Sequence, residues 1–98
     1  MFMYEGFEWD PAKAKTNLQK HGVSFEEAST VFDDPNSITI DDDAHSDEEL
    51  RFVTMGWSDA GRLVTVCHCD RKQRIRVINA RPAEQYEQRQ YEQENTKK

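Results

Sequence analysis

Two helix-start signals that follow one another near the beginning of the chain restrict its fold more than any other feature. Asp10 is a residue type that caps helix N-termini, and Pro11 suits the first helical position, where a missing N–H does no harm. Gly22 can adopt the left-handed conformation that ends a helix. Ser24 and Glu27 have the spacing of a capping box, which starts a second helix. The sequence therefore predicts two short helices joined by a tight turn.

Most of the remaining chain carries strand signals. Strands are predicted at residues 4–8, 37–40, 51–57, 62–69 and 74–80. The last three runs are separated by short turn-like segments, so we expect an antiparallel meander. Pro82 is expected to start a polar C-terminal helix that continues to about residue 94. The order β-α-α-β-β-β-β-α predicts an α+β protein with its helices packed on a small antiparallel sheet.

Size and composition suit a small protein with one modest core. The chain has 98 residues, of which 36% are hydrophobic and 33% are charged. We therefore expect a single domain over residues 1–98, with a mobile tail at residues 93–98. No apolar run approaches the roughly 20 residues that span a bilayer, and no secretion signal is evident at the N-terminus. These features predict a cytoplasmic protein that does not enter membranes.

The net charge of −6 opposes binding to nucleic acids, but the charges are unevenly distributed. Residues 1–61 contain 14 acidic and 4 basic residues, whereas residues 62–89 contain 7 basic and 3 acidic residues. A locally basic surface can attract RNA even on an acidic protein. Taken alone, the charge pattern favours the alternative, a mixed and solvated surface.

Two clusters imitate metal sites without having their geometry. Cys67-His68-Cys69 lies in a predicted strand, where alternation places the imidazole on the opposite face from the two thiols. The acidic loop at residues 41–49 begins like a calcium loop but lacks the glycine and the bidentate acid that such a loop needs. We therefore expect reduced, apolar thiols, a solvated loop, and no metal or other cofactor.

Arginines and histidines are the candidates for ligand binding and proton transfer. Arg74 and Arg76 share one face of a predicted strand, and Arg81 follows at the helix entry. Guanidinium groups suit bidentate contacts with phosphate, although the residues alone favour pairing with nearby carboxylates. His45, in the acidic loop, and His68 are the histidines most available for proton transfer, and a structural place in the sheet is an equal alternative for His68. His21 is expected to cap carbonyls at the end of the first helix.

Three segments occur in an order that is typical of one protein family. They are Phe7-Glu-Trp-Asp-Pro-Ala-Lys13, Lys20-His-Gly-Val-Ser-Phe25 and Arg74-Ile-Arg-Val-Ile-Asn-Ala-Arg-Pro-Ala83. Together they resemble the BrnT family of bacterial type II toxins, which are small ribonucleases with a RelE-like fold. The resemblance implies metal-independent cleavage of RNA, in which the ribose 2′-hydroxyl attacks the adjacent phosphorus. Such a reaction uses no cofactor and is restricted to RNA.

The resemblance and the residue patterns together give the candidate functional residues, and the resemblance also implies the partners. The expected catalytic residues are Arg51, Arg76 and Arg81 together with His45, and the expected RNA contacts are Lys20, Arg62 and Arg74. The implied partner is a BrnA-like antitoxin, which covers the active surface in a hetero-oligomer and alone contacts DNA. Tyr86 and Tyr91, expected to be exposed on the C-terminal helix, are the predicted docking residues.

Three classes of function remain open at this point. The first is a toxin ribonuclease, which requires the arginines to converge on one cationic surface. The second is a catalytically inactive module with the toxin fold, which acts with the antitoxin as a corepressor of its operon and is favoured by the net charge. The third, a metal-dependent hydrolase that uses the acidic loop, is the least favoured.

Overall fold

The computed structural model describes residues 1–45 and 49–96 as an α+β fold with three helices and six strands. The strands are β1 (Phe2–Tyr4), β2 (Phe7–Trp9), β3 (Ile38–Asp41), β4 (Phe52–Trp57), β5 (Leu63–Arg71) and β6 (Arg74–Pro82). The helices are α1 (Pro11–His21), α2 (Phe25–Thr30) and α3 (Gln85–Thr96), with short 3-10 turns at Val31–Asp33 and Asp43–His45. No helix in these described ranges is long and apolar enough to cross a membrane.

The helix signals near the start of the chain are confirmed at atomic level. The Asp10 carboxylate accepts the Ala12 backbone N–H at 2.9 Å, so it caps the N-terminus of α1. Gly22 ends the helix with φ of 71°, a left-handed conformation that favours glycine. Ser24 Oγ accepts the Glu27 backbone N–H at 3.0 Å and starts α2. Local capping chemistry therefore sets the bounds of both helices.

The strands form one mixed sheet with the order β1-β2-β6-β5-β4-β3. The predicted meander is confirmed, because β4, β5 and β6 pair antiparallel in sequence. The prediction of a purely antiparallel sheet is wrong, because β2 pairs parallel to β6. The single strand predicted at residues 4–8 is instead the hairpin of β1 and β2. Its turn contains Glu5 with φ of 54°, a conformation that glutamate rarely adopts and that sequence patterns do not reveal.

The C-terminal helix begins later and ends later than the sequence predicts. Pro82 does not start the helix. It ends β6, where it pairs with Val64 at the edge of the ladder. Helix α3 runs to Thr96, so residues 93–96 of the predicted mobile tail are helical, and residues 97–98 lie outside the described residues.

The hydrophobic core lies between one face of the sheet and the helices α1 and α2. The sheet contributes Trp9 from β2, Val64 and Val66 from β5, and Val77 and Ala80 from β6. The segment after α1 contributes Val23, Phe25, Ala28 and Val31. Thr65 and Cys67, which alternate with the core residues of β5, lie on the opposite face of the sheet, which α3 covers. Residues 63–69 of β5 are consequently all buried, as expected for a strand covered on both faces.

One buried carboxamide joins α1 to β6. Asn17 is 6% exposed, and its Nδ2 donates to the Val23 carbonyl at 2.9 Å and to the Ala80 carbonyl at 2.8 Å. Its Oδ1 accepts the Ala80 backbone N–H at 3.1 Å. The side chain thus satisfies both backbone groups of Ala80, which otherwise would be buried without partners.

We expect Asn17→Ala to lower the free energy of unfolding by about 2–4 kcal/mol, because it leaves several buried backbone groups unsatisfied. The measurement is urea denaturation followed by circular dichroism. Gln19→Ala, which removes an exposed amide from the same helix, is the control and should change the free energy by less than about 0.5 kcal/mol. Equal effects of the two substitutions would show that the carboxamide does not hold α1 to the sheet.

Candidate functional site

A cationic groove lies between α1 and β6. We give this name to the hollow of about 540 Å³ lined by Lys13, Lys20, His21 and Arg81, together with Asn17 and Asn79 and some neutral side chains. None of its lining residues in the described part of the chain is acidic. Lys13, Asn17 and Lys20 share one face of α1, because they are four and three residues apart. The groove therefore presents positive charge that is not offset by a carboxylate in its wall.

The other predicted arginines do not converge on this groove. Arg76 donates to the carboxylate of Glu8, which is 8% exposed, with Nε at 2.9 Å and Nη2 at 2.6 Å. Arg74 reaches the backbone carbonyl of Glu5 at 3.1 Å, at the tip of the first hairpin. These contacts tie β6 to the β1–β2 hairpin. The predicted convergence of the guanidinium groups is therefore wrong for Arg74 and Arg76.

Arg62 lies in a different ion pair, near the start of α2. Its Nε and Nη2 donate to the two carboxylate oxygens of Glu27 at 2.8 and 2.7 Å, and Nη2 also donates to the carbonyl of Gly22. The hydrogen bond from Arg62 is the largest cause of the lowered pKa of Glu27. Arg62 thus fastens β5 to the turn between the helices, away from the cationic groove.

Arg81 is the predicted catalytic arginine that does reach the groove. Its Nη1 and Nη2 donate to the two carboxylate oxygens of Glu87 at 2.6 and 3.0 Å. Burial acts to raise the pKa of Glu87, but hydrogen bonds from Arg81 and from the Glu84 backbone outweigh it, so the pKa is lowered. The pair fixes the orientation of the guanidinium, and Arg81 remains part of the groove wall. Glu87 occupies both terminal nitrogens of Arg81, so a phosphate in the groove would share the guanidinium with this carboxylate.

A second hollow lies between α3 and the sheet, and we call it the α3 cavity. It has a volume of about 420 Å³, and Arg51, Arg81, Asp42 and Glu87 supply its charged side chains. Asn79 and Arg81 line both the cationic groove and the α3 cavity, so the two hollows adjoin at β6. Arg51, a predicted catalytic residue, therefore shares a site with Arg81 without lining the groove.

The thiol of Cys67 lines the α3 cavity, whereas the imidazole of His68 lies on the opposite face of the sheet and packs edge-on against Phe32. Cys67 contacts the Asp42 carboxylate at 3.7 Å, and Cys69 contacts that of Glu49 at 3.5 Å. Burial, followed by the charge of Asp42, raises the pKa of Cys67 to about 11, so the thiol is protonated and unreactive at neutral pH. In the described ranges no group of His, Cys, Asp and Glu side chains is arranged to hold a metal ion.

Two of the predicted roles of histidines and tyrosines, those of His21 and Tyr91, differ from what the structure shows. His21, expected only to cap α1, lines the cationic groove. The side chain of His45 lies outside the described residues, as do residues 46–48. Tyr86 is 59% exposed as predicted, but Tyr91 is only 8% exposed and donates its hydroxyl to Asp34 at 2.7 Å. Tyr91 therefore anchors α3, and the prediction that it is an exposed docking residue is wrong.

The signal that identifies the groove was present in the sequence as a helical spacing. Lys13, Lys20 and His21 are seven and eight residues apart, which is two helical turns, so they share a face of α1. The sequence could not show that this face meets the strand that carries Arg81. The structure defines a small α+β protein in which a cationic groove adjoins a cavity of mixed charge. Proteins with such a surface are suited to polyanionic ligands.

Comparison with known proteins identifies the family. The protein family described as "Ribonuclease toxin, BrnT, of type II toxin-antitoxin system" matches residues 9–87 of this sequence. The chain therefore belongs to the BrnT family of type II toxins, and this membership implies a protein antitoxin as partner. The resemblance inferred from the sequence is confirmed.

A solved structure shows the same fold. The crystal structure of the Brucella abortus ribonuclease toxin BrnT is 21% identical and has a TM-score of 0.62. The match covers 81% of this chain and 96% of that one. No curated protein sequence matches the chain significantly.

We expect His68 to make the fold sensitive to mild acid. It is 5% exposed, its Nε2 lies 2.7 Å from Thr54 Oγ1, and burial lowers its pKa, against the weaker opposing effect of Asp70. The folded state thus keeps the imidazole neutral, while the unfolded chain takes up a proton near pH 6.5. Stability is therefore complete above about pH 7 and is lost as the pH falls, by up to about 1.4 kcal/mol per unit.

The measurement is the free energy of unfolding between about pH 7.5 and 5.5, a range above that in which carboxylates titrate. His68→Gln is the comparison variant, because its side chain is neutral throughout and can still bond Thr54. The slope should be smaller in this variant than in the unaltered protein. Identical slopes would assign the acid sensitivity to other groups.

Proposed function

We propose that the protein is an endoribonuclease toxin and that the cationic groove holds the RNA backbone at the cleavage site. The observation that carries the proposal is a hollow without a carboxylate among its described lining residues, in which Arg81, already paired with Glu87, adjoins three basic residues that form no ion pair in the described part of the chain: Lys13, Lys20 and His21. Phosphate groups bind where cations are not already neutralised. The family description as ribonuclease toxins supports the same activity.

The proposed reaction is attack of a ribose 2′-hydroxyl on the adjacent phosphorus, with departure of the 5′-oxygen. Charge that develops on the phosphoryl oxygens is stabilised by Arg81, which its pairing with Glu87 holds in place, and by the two lysines. Because side chains supply this positive charge, the proposed reaction draws on no metal or cofactor. The requirement for the 2′-hydroxyl restricts it to RNA.

Proton transfer is assigned to His21 within the proposed site. An imidazole can exchange protons near neutral pH, and His21 lies in the groove beside the cations. His45 stays a prediction as a second acid–base group. Arg51, which lines the α3 cavity together with Arg81, is proposed to bind RNA, whereas the proposed roles of Arg62, Arg74 and Arg76 are structural.

The proposed partner is a BrnA-like antitoxin that forms a hetero-oligomer with the toxin and supplies all contacts to DNA. The acidic N-terminal half of the chain suits a basic partner surface. Exposed Tyr86 on α3 is a proposed contact. A RelE-like mode of action in the cytoplasm remains part of this proposal.

The second candidate function is a catalytically inactive corepressor that acts only in complex with the antitoxin. It is favoured by the net charge of −6 and by the pairing of Arg62, Arg76 and Arg81 with carboxylates. The deciding experiment incubates purified, partner-free protein with RNA, with DNA of the same sequence and with a chelator. A ribonuclease leaves 2′,3′-cyclic phosphate ends on RNA alone, with or without chelator. A corepressor leaves the RNA intact, while its antitoxin complex binds operator DNA.

A cellular experiment tests the toxin role. Induction of this gene alone should arrest growth, and co-expression of the neighbouring open reading frame should restore it. Arrest that the neighbour does not relieve would contradict a toxin–antitoxin pair. No arrest at all would favour the corepressor.

We expect the double substitution Lys13→Gln with Lys20→Gln to weaken RNA binding about 10- to 100-fold at low salt. Each lost phosphate contact should also lower the slope of log affinity against log salt by about 1. The matched control is Lys15→Gln, which removes the same charge from α1 outside the groove. An equal loss per lysine in the control would mean that net charge, and not the groove, governs binding.

We expect His21→Gln to slow cleavage at saturating RNA by about 100-fold or more while RNA affinity stays within about twofold, because a general acid or base acts in the transition state. Single-turnover rates and fluorescence polarisation measure the two quantities separately. A fall in affinity without a fall in the saturated rate would assign His21 to binding.

A further inference from the structure

The cationic groove and the α3 cavity differ in charge although they share two residues. The groove contains cations and no carboxylate among its described lining residues, whereas the α3 cavity contains Asp42 and Glu87 as well as Arg51 and Arg81. A phosphate entering the α3 cavity would meet two acids, so the cavity does not suit a second phosphate. The balance of charges suits a ligand that is polar but uncharged.

The other side chains of the α3 cavity narrow the ligand further. Its apolar wall is formed by Ile40, Val53 and Met55. Tyr86, a residue that is 59% exposed, also lines it. Its volume of about 420 Å³ falls within the range of small-ligand sites. A flat heteroaromatic ring that stacks on a tyrosine and carries hydrogen-bonding edges fits such a cavity, and a nucleobase has these properties.

Asn79 lies where the two hollows meet. It is exposed, lines both of them, and is two residues from Arg81 on β6. A carboxamide presents a donor and an acceptor side by side, which matches a base edge that carries the same pair in reverse. A nucleotide whose phosphate binds Arg81 from the groove would bring its own base or the next one to Asn79.

We propose that the α3 cavity is a nucleobase subsite in which Tyr86 stacks on the base and Asn79 reads its edge. The inference rests on the proposed ribonuclease function, and it assigns the base preference of RNA cleavage to the α3 cavity. Phosphate contacts in the groove fix the register of the RNA, and Asn79 selects which nucleotide stands at the cleavage position.

The test measures binding of short 2′-O-methyl oligonucleotides, which cannot undergo attack by a 2′-hydroxyl, with one central base varied among the four. Fluorescence polarisation of the unaltered protein should reveal about five- to fifty-fold discrimination between the best and the worst base. Asn79→Ala should reduce this ratio to less than about twofold. Gln19→Ala, which removes an exposed amide outside both hollows, should leave the ratio unchanged.

Substitutions at Tyr86 separate stacking from edge recognition. Tyr86→Leu should weaken binding of all four oligonucleotides by about five-fold or more, and Tyr86→Phe should restore it, because stacking needs the ring and not the hydroxyl. The same pattern should appear as cleavage preference on a random RNA pool. Thermal unfolding of each variant is the control for folding, and its midpoint should match that of the unaltered protein.

The outcomes separate this inference from the function on which it rests. Equal binding of all four bases, or a preference that persists in Asn79→Ala, would overturn the base subsite while RNA cleavage still supports the ribonuclease. Absence of both binding and cleavage by the unaltered protein would overturn the two together. Discrimination that depends on Asn79 supports the inference.

Discussion

The hydrogen bonds between Asn17 and Ala80 are the interaction on which the site depends. β2 pairs with β6 only at Ile75 and Arg76, so the rest of that strand edge has no strand neighbour in the described part of the sheet. Helix α1 lies there instead, and its carboxamide accepts from and donates to the backbone of Ala80 as a strand would. The cationic groove exists because a helix, and not a strand, covers this edge.

Pairing with acids determines which basic residues remain available for a ligand. Glu8, Glu27 and Glu87 take up the hydrogen-bonding nitrogens of Arg76, Arg62 and Arg81, and the pairs of Arg76 and Arg62 join separate parts of the fold. Lys13 and Lys20 are not neutralised in this way, because the described residues that line the groove with them include no carboxylate. The net charge of −6 is thus a property of the whole chain, while the ligand responds to the local field.

Sequence signals predicted the parts of the fold that local chemistry decides. Caps at Asp10, Gly22 and Ser24 gave α1 and α2, and strand periodicity gave the meander, because each depends on neighbours along the chain. The first hairpin was missed because its turn relies on Glu5 in a left-handed conformation, which tertiary pairing stabilises. The parallel contact of β2 with β6 involves residues nearly 70 positions apart, which no local pattern encodes.

The sequence predicts the site less well, because the site depends on contacts between residues that are far apart in the chain. The sequence predicts Arg81 as a catalytic residue and Lys20 as an RNA contact, and both side chains line the groove. The carboxylate partners of Arg62 and Arg76 lie 35 and 68 residues away in sequence, so their neutralisation was visible only in three dimensions. The sequence predicts helix capping for His21, because a single sequence cannot show what its helix end faces.

The composition of the groove itself bears on the choice between an enzyme and a corepressor. Exposed lysines contribute little to folding, and surface ion pairs contribute only slightly more, so stability does not require Lys13 and Lys20 to share a face. In a chain with 19 acidic residues against 13 lysines and arginines, a hollow with four basic groups and no acidic lining residue in its described wall departs from the general composition. A surface that only docks a basic antitoxin would be expected to be acidic, as the N-terminal half of the sequence is. The groove has the opposite sign, which matches the phosphates of an RNA substrate and not such a partner.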